Sequence, residues 1–293
     1  STPVRRHDID ALRALAFALV ILYHVAMYYV AEWHWHLKSP YAAEWLQAPM
    51  RALNLWRMDL VFLISGLAFG FVRRGQSVAG LVRLRSLRLL VPLAFGMVVI
   101  VPYQPYAQGV ANGLIAPGFG AFLLRYYSGS TWPPGAFDGW HAGVTWNHLW
   151  YLAYLLPYTL LLLAVMPLLR RLREWLGDAQ PTGKTALAFL LLPILWLLGV
   201  RFWLAPQFEE THALVDDWVV HAESLPLFLL GYVLATRAGF WQWVQRLRWR
   251  TLAVAVLAIS VELGLRWLGH HPPAGPTPGW ALHVPWYTIE RIA

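Results

Sequence analysis

The chain has 293 residues, of which 58% are hydrophobic, 15% aromatic and 13% charged, with a formal net charge of +8. Soluble domains contain about 25% charged residues, so this composition excludes an ordinary cytosolic enzyme, a disordered chain and a nucleic-acid binder. The absence of cysteine excludes disulfides and thiolate chemistry. A polytopic membrane protein remains, and 18 tryptophans suit it because indole rings favour the membrane–water boundary.

Apolar stretches long enough to cross a bilayer, about 20 residues, recur along the chain. The first covers residues 11–30 and continues into interfacial aromatic residues, whereas a signal peptide, the alternative, has a shorter apolar core. Further spans are predicted at 52–72, 89–103, 147–168, 186–205, 218–236 and 251–268, and another begins near Trp286. We therefore expect an all-α, polytopic transmembrane helical bundle with seven complete spans plus the start of an eighth, truncated at its C-terminus.

Basic residues are unevenly distributed between the two sides of this bundle. With a cytoplasmic N-terminus, most of the 23 lysines and arginines fall in the inner segments. The outer segments collect acids such as Glu32, Glu209 and Asp216. This is the asymmetry of the positive-inside rule, so the net charge reflects topology and needs no nucleic-acid partner.

His24 is the clearest ionisable residue inside a predicted span, and such residues mark functional sites by default. Helical geometry places Arg13 and Asp10 on the same face, with Arg13 about 16 Å from His24 along the axis. His24 is either a hydrogen-bonding residue between helices or a general base for a hydroxyl nucleophile. Arg13 and Asp10 form either a simple ion pair at the helix start or part of the site.

Two further groups of charged residues have alternative interpretations. Arg57 and Asp59 precede VFLISG in the second span, where they either tether helices or orient a substrate or the histidine. Arg85 and Arg88 share a helical face, with Arg83 nearby. Their guanidinium groups suit lipid headgroups or the phosphates of a cytoplasmic donor such as an acyl-CoA.

The outer side of the bundle is rich in aromatic and imidazole groups. His34 and His36 do not share a helical face, so we expect no helical metal site there and no metal elsewhere. The segment from Trp146 to Trp150, with His148 between them, suits sugar hydroxyls and equally an interfacial aromatic belt. The segment 104–146 is long and rich in Gly, Pro and aromatic residues, and long loops are often functional.

Several of these motifs, in this order, resemble the acyltransferase-3 family of integral membrane acyltransferases. The resemblance rests on Arg13 followed after ten residues by His24, on RMDLVFLISG (57–66), on the R-x-x-R of 85–88, on NHLWYL (147–152) and on SLPLFLLGYVLA (224–235). Trp35-His36, with Arg57-Met58 later, looks most like the branch of glucan-biosynthesis C proteins, which are similar to succinyltransferases of periplasmic glucans. Members of the family usually have about ten spans.

The resemblance implies one membrane acyltransferase domain over residues 1–293 and a location in the bacterial inner membrane. It implies transfer of a succinyl or acetyl group from acyl-CoA, a substrate rather than a bound cofactor, to hydroxyls of a periplasmic or cell-surface glycan. Catalysis falls to His24, Arg13 and Asp10, and donor binding to Arg83, Arg85 and Arg88. The implied acceptor site contains Trp35, His36, Arg57, His148 and Trp150.

The alternative from another class is a multi-pass transporter or flippase that moves a glycan or acyl carrier without chemistry. Such a carrier should have charged residues in facing spans at mid-membrane. Beyond the first two spans the sequence offers Arg201, Glu223 and Glu262, all near span ends. This distribution favours the enzyme.

Overall fold

The computed structural model describes residues 7–71, 77–138 and 144–270, and these residues form helices and connecting segments without a β-strand. Short 3₁₀ turns precede α2 and α6, and α3 and α7 each end in a π-helical turn, Gly96–Ile100 and Val200–Leu204. The helices are α1 (His7–Met27), α2 (Gln47–Gly70), α3 (Val78–Phe95), α4 (Tyr103–Ala111), α5 (Phe119–Tyr127), α6 (Trp150–Leu176), α7 (Gly183–Gly199), α8 (Trp218–Leu234) and α9 (Ala238–His270).

The helices confirm an all-α polytopic bundle. In the part of the chain that the structure describes, six helical stretches are long and apolar enough to cross a membrane, and α8 is a shorter apolar helix. Each of the seven predicted spans corresponds to one of these helices. The protein is therefore a multi-pass membrane protein, while the eighth span predicted near Trp286 lies outside the described residues.

Two predicted boundaries were wrong. The third span was placed at 89–103, but α3 begins at Val78, and the seventh was placed at 251–268, but α9 begins at Ala238. In both cases arginines lower the hydropathy of the first turns without interrupting the helix, because arginine is a good helix former. Arg83, Arg85 and Arg88 consequently lie within α3 itself.

Small residues allow α2 and α8 to pack closely in the centre of the bundle. A Cβ atom at Gly66 would collide with the backbone of Phe228, and one at Gly231 would collide with the carbonyl of Leu63. Close backbone approach through glycine is a common way to associate transmembrane helices, since lipid removes the hydrophobic drive between them. The Gly66–Gly70 spacing thus brings two walls of the site together.

The core lies among α2, α3, α6 and α8, where Phe62, Tyr154, Leu162 and Phe228 are almost fully buried. In contrast, α7 and α9 expose many leucine, valine and tryptophan side chains, as expected of surfaces that face lipid. Within α9, Glu262 pairs with Arg266 one turn later, which neutralises both charges.

The long segment between α3 and α6 is partly helical. It contains α4 and α5, which pack through an aromatic cluster that includes Phe122, Tyr126, Trp132 and Phe137. The backbone N–H of Thr145 donates to the hydroxyl of Tyr126. This packed unit holds Thr145, shortly before α6, at the end of the bundle where α6 begins.

Candidate active site

A cavity of about 1070 Å³ opens among α1, α2, α6, α7, α8 and the segment 205–217. A cavity of this size accommodates a small organic ligand or part of a larger one. Five of the sequence-predicted site residues line it, namely His24, Trp35, Arg57, His148 and Trp150. The spans therefore bring together side chains that are more than a hundred residues apart.

His24 lies in the last turns of α1, half-buried in the cavity wall. Its Nδ1 lies 2.7 Å from the carbonyl oxygen of Val20, one turn earlier. Because a carbonyl oxygen only accepts hydrogen bonds, Nδ1 carries the proton of the neutral ring. Nε2 is then left with its lone pair, which is the arrangement that a general base requires.

Other rings surround His24. The rings of Tyr23, Trp35 and His148 have centroids 5.9, 5.8 and 5.7 Å from that of His24. Trp35 also lies beside His36, at 5.0 Å. Aromatic walls of this kind hold the imidazole in place and offer flat apolar surfaces to a ligand such as a sugar ring.

Arg57 is 5% exposed and projects from α2 next to His24. Its guanidinium carbon lies 3.5 Å from the centre of the Tyr23 ring, and Nη2 donates to Asn54 Oδ1 at 3.4 Å. The cation–π contact offsets part of the cost of burying this charge. Arg57 contacts Tyr23 and Asn54, whereas Asp59 interacts with Arg201 and Glu210. Arg57 and Asp59 therefore do not form the ion pair that would tether two helices.

Asp59 belongs instead to a charged group on another part of the cavity wall. Arg201 from the end of α7 pairs with Glu210 at 2.9 Å and with Glu223 of α8 at 3.0 Å. Asp59 interacts electrostatically with Arg201 and Glu210. Three carboxyl groups and one guanidinium from α2, α7, α8 and the adjoining loop thus converge, which the sequence did not reveal.

The segment 205–217 covers this region and is held by Asp217, which is fully buried. The Asp217 carboxylate accepts from the Tyr154 hydroxyl at 2.5 Å and from the backbone N–H groups of Thr211 and His212 at 3.3 and 3.0 Å. His212 packs on the Trp150 ring at 4.4 Å. Burial lowers the pKa of His212, while Asp217 and Glu210 act in the opposite direction.

Arginines gather toward the other end of the bundle. Arg85 of α3 is half-buried, lies over the Phe69 ring at 4.7 Å, and experiences the charges of Arg88 and Arg13. Arg83, Arg88 and Arg13 are exposed, and Asp10 lies one turn before Arg13, also exposed. The predicted donor residues are thus close in space, on a different level of the bundle from His24.

Tyr151 lies between the two levels. Its hydroxyl is hydrogen-bonded to Ser65, and its ring packs on Phe17 and Phe62 at 6.4 and 5.0 Å. The charges of Arg13 and Arg85 both act on Tyr151. Tyr151 therefore packs against α1 and α2 in the core while the charges of the arginine group act on its hydroxyl.

Sequence reasoning placed His36 in the acceptor site, but the structure places it behind the cavity wall. There its ring nitrogens contact Gln108 and Asn147 rather than the cavity. Sequence reasoning also missed Gln104, His212 and Asp217, and it assigned no site role to Asn147 or Arg201, although it noted both. The available signal was polar residues within otherwise apolar or aromatic segments, which does not by itself distinguish a site from a loop.

The described residues contain no group of three or more His, Asp or Glu side chains arranged to hold a metal ion. Comparison with known proteins identifies the family of the chain. A family profile described as an acyltransferase domain, that of acyltransferase-3, matches residues 6–288. The chain belongs to the acyltransferase-3 family.

Curated relatives are similar to this acyltransferase-3 chain at low identity. Glucans biosynthesis protein C of Shigella dysenteriae serotype 1 (strain Sd197) is 25% identical over 203 residues, which are 68% of this chain and 48% of that protein. The protein of the same name from Escherichia coli (strain K12 / DH10B) is 24% identical over the same shares. The chain spans about half the length of the curated relatives it matches. No solved structure matches it significantly.

Proposed function

We propose that this chain carries out O-acylation, moving a succinyl or acetyl group from cytoplasmic acyl-CoA to a hydroxyl of a periplasmic or cell-surface glycan. The observation that carries the proposal is His24, whose Nδ1 donates to Val20 and whose Nε2 keeps its lone pair in the wall of the cavity. Family membership and relatives named for glucan biosynthesis support the same chemistry. The proposed orientation is an inner-membrane protein with a cytoplasmic N-terminus.

In the proposed reaction, His24 Nε2 takes the proton of the acceptor hydroxyl as its oxygen attacks the thioester carbonyl carbon. The tetrahedral intermediate collapses, the carbon–sulfur bond breaks, and the imidazolium returns the proton to the leaving thiolate. The products are a glycan ester and free CoA. General base catalysis by a positioned histidine typically contributes about 10²–10⁴-fold to the rate.

The two levels of the bundle suit two substrates that arrive from opposite sides. Arg85 with Arg88 and Arg83 would hold the phosphates of the donor, because guanidinium groups form charge-assisted hydrogen bonds with phosphate oxygens. Arg13, with Asp10, would help to place the donor between this group and the cavity. Trp35, His148 and Trp150 would line the acceptor entrance, with the Arg57 charge next to His24.

Mass spectrometry of periplasmic glycans tests the proposal in cells. A deletion strain complemented with the wild-type gene should carry glycans with the mass of one acyl group per modified site. Complementation with His24→Gln should give glycans that lack this mass at equal protein level in the membrane. Acylated glycans at wild-type levels in the His24→Gln strain would overturn the assignment of His24 as the base.

One observation favours the alternative, a transporter or flippase. The sequence placed Arg201 and Glu223 near span ends, but the structure brings them to the cavity wall together with Asp59 and Glu210. Buried ionisable groups on facing helices are typical of ion-coupled carriers. Release of free CoA thiol by the purified protein, dependent on acceptor glycan, distinguishes the enzyme from a carrier, which would release none.

A further inference from the structure

A chain of hydrogen bonds runs from α4 to the cavity wall, which its members Asn147 and His148 help to line. Its members are Gln108, His36, Asn147 and Gln104, and it joins the segment after α1, the helix α4 and the turn that opens α6. The backbone N–H of Asp138 fixes the acceptor of the first link, and with a neutral His36 ring every later link then has one donor and one acceptor. The protonation of the last member can therefore be deduced from the first.

The deduction begins at Gln108, which is 4% exposed. Its Oε1 accepts from the backbone N–H of Asp138 at 3.0 Å and contacts His36 Nδ1 at 2.7 Å. Because a backbone N–H only donates, the Gln108 atom is an oxygen, and His36 Nδ1 must donate to it. The Asp138 carboxylate, 3.6 Å from the same nitrogen, is a second acceptor that favours the proton on Nδ1. In the neutral His36 ring the lone pair is then on Nε2.

The next link is the side-chain amide of Asn147. Its Nδ2 lies 2.9 Å from His36 Nε2 and 2.9 Å from Gln104 Oε1. Since His36 Nε2 accepts, Asn147 must present its nitrogen, which fixes the orientation of the amide. Both hydrogens of this nitrogen are thereby used, one for each neighbour.

The chain of hydrogen bonds ends at His148. Gln104 Oε1, which already accepts from Asn147, lies 3.1 Å from His148 Nδ1. This nitrogen must therefore carry the ring proton, and Nε2 of the neutral ring keeps its lone pair. As Nδ1 is engaged behind the wall, Nε2 is the nitrogen that His148 has available for the cavity it lines.

The backbone at Asn147 has a second unusual feature. Its φ is +43°, one of three non-glycine residues with positive φ among those described. Asparagine tolerates this region better than most residues, but at some cost. Strained backbone persists where surrounding structure enforces it, and it is found frequently at functional sites. Here it places the amide between two side chains from different segments.

We infer that Asn147 is a positioning residue that holds His148 as the Nδ1–H tautomer, so that an unprotonated Nε2 orients the acceptor hydroxyl beside His24. The catalytic part of this inference rests on the proposed function, whereas the tautomer does not. Asn147 lines the cavity, but both hydrogens of its amide are used by His36 and Gln104. It acts through Gln104 on one side and is fixed by His36 on the other.

Replacement of Asn147 by aspartate reverses the direction of hydrogen-bond donation between this position and its two neighbours. A carboxylate only accepts, so His36 Nε2 must also carry a proton. The ring is then an imidazolium, because Nδ1 still donates to Gln108. Gln104 must turn its nitrogen toward the introduced carboxylate. His148 Nδ1 would then face a donor and lose its proton to Nε2. Glycine is the matched variant for the backbone, because it adopts positive φ freely but offers no side chain.

The experiment records ¹⁵N chemical shifts of the His148 ring in the full-length protein, assigned by comparison with a His148→Gln sample. Wild type and Gln104→Glu, which preserves the acceptor, should show the proton on Nδ1, and Asn147→Asp should show it on Nε2. We expect kcat/KM for the glycan to fall about tenfold in both Asn147→Asp and Asn147→Gly, compared in protein that folds and inserts as the wild type does, because a misdirected His148 loses its hydrogen bond to the acceptor.

Two results would overturn the inference. One is a His148 proton that stays on Nδ1 in Asn147→Asp, and the other is a wild-type kcat/KM for the glycan in Asn147→Gly, which would reduce Asn147 to a backbone role. If the wild-type protein shows no acyl transfer at all, the proposed function fails. The ¹⁵N measurement still decides the positioning role, since it does not depend on turnover.

Discussion

The imidazole rings of His24 and His148 meet edge to face in the cavity wall, with centroids 5.7 Å apart. In both rings Nδ1 is the hydrogen-bonded nitrogen. His24 Nδ1 donates to the Val20 carbonyl, and His148 Nδ1 donates to Gln104. Two lone pairs on Nε2 are therefore available in one cavity. Acyl transfer to a hydroxyl needs one base, so the second ring has a different role, which we assign to orienting the acceptor.

This division of roles predicts a specific kinetic effect of His148→Phe. Phenylalanine retains a ring but offers no acceptor nitrogen, so we expect kcat/KM for the glycan to fall about tenfold or more. A lost hydrogen bond at a buried site costs about 1–3 kcal/mol, and about 1.4 kcal/mol corresponds to tenfold. The measurement is the rate of transfer against glycan concentration at saturating acyl-CoA. KM for acyl-CoA should remain unchanged.

Tyr41→Phe is a suitable control for this variant, because Tyr41 is 84% exposed in the segment between α1 and α2 and does not line the cavity. It should behave like the wild type. If His148→Phe has the same glycan dependence as Tyr41→Phe, His148 does not contact the acceptor.

The arginine group predicts a defect in donor binding. Arg85→Gln removes a half-buried guanidinium that lies beside Arg13 and Arg88. We expect KM for acyl-CoA to rise about tenfold with little change in kcat, because a charge-assisted hydrogen bond contributes about 1.5–3 kcal/mol. Initial rates over a range of acyl-CoA concentrations give both constants.

Arg171→Gln tests whether this effect is specific, since Arg171 is an exposed arginine near the same end of the bundle, on α6. Its removal should leave KM for acyl-CoA unchanged. An equal rise in KM for both variants would show that general positive charge, rather than the group around Arg85, attracts the donor.

We expect removal of the Asp217 carboxylate to destabilise the folded protein strongly. Asp217→Ala leaves the Tyr154 hydroxyl and two backbone N–H groups of the covering segment without their acceptor. Each buried group left unsatisfied costs about 1–3 kcal/mol, so the melting temperature of the purified protein should fall clearly. Asp216→Ala, at the exposed neighbouring residue, should have little effect. Equal melting temperatures for the two variants would contradict the anchoring role.

We expect the stability of the segment 205–217 to depend on pH through His212. Burial lowers its pKa below the usual 6.5, so the unfolded chain binds a proton at higher pH than the folded protein. The stabilising effect of neutral His212 is therefore present above 6.5 and is lost as the pH falls from 6.5 toward the lower folded pKa. The variant His212→Asn lacks this titration, and asparagine tolerates the φ of +52° at this position.

Melting temperatures measured at about pH 7.5 and about pH 5.5 test this prediction. The wild type should lose more stability on acidification than His212→Asn, because the remaining histidines are common to both proteins. An identical loss in the two proteins would show that His212 does not couple protonation to folding.

The spans and several site residues could be predicted from the sequence because they depend on local signals. Apolar length determines a membrane helix, and a single imidazole such as His24 in an apolar span is conspicuous. The starts of α3 and α9 could not be predicted from hydropathy, since arginine lowers hydropathy but favours helix. The structure shows these helices extending through their basic turns.

Contacts between distant segments could not be predicted for a different reason. The approach of Asp59 to Arg201 and Glu223 depends on the rotation of three helices about their axes, which a single sequence does not specify. The role of Asn147 depends on a positive φ and on two partners from other segments. His36 was assigned to the acceptor site through the family resemblance, whereas its ring nitrogens contact Gln108 and Asn147.

Transfer of a labelled acyl group by the purified full-length protein tests the central claim most directly. With wild-type protein, acyl-CoA and glycan, we predict glycan ester and free CoA thiol in equal amounts. With His24→Gln, folded and inserted as the wild type, the rate should be lower by at least about 10²-fold. Transfer by His24→Gln at close to the wild-type rate would contradict the account.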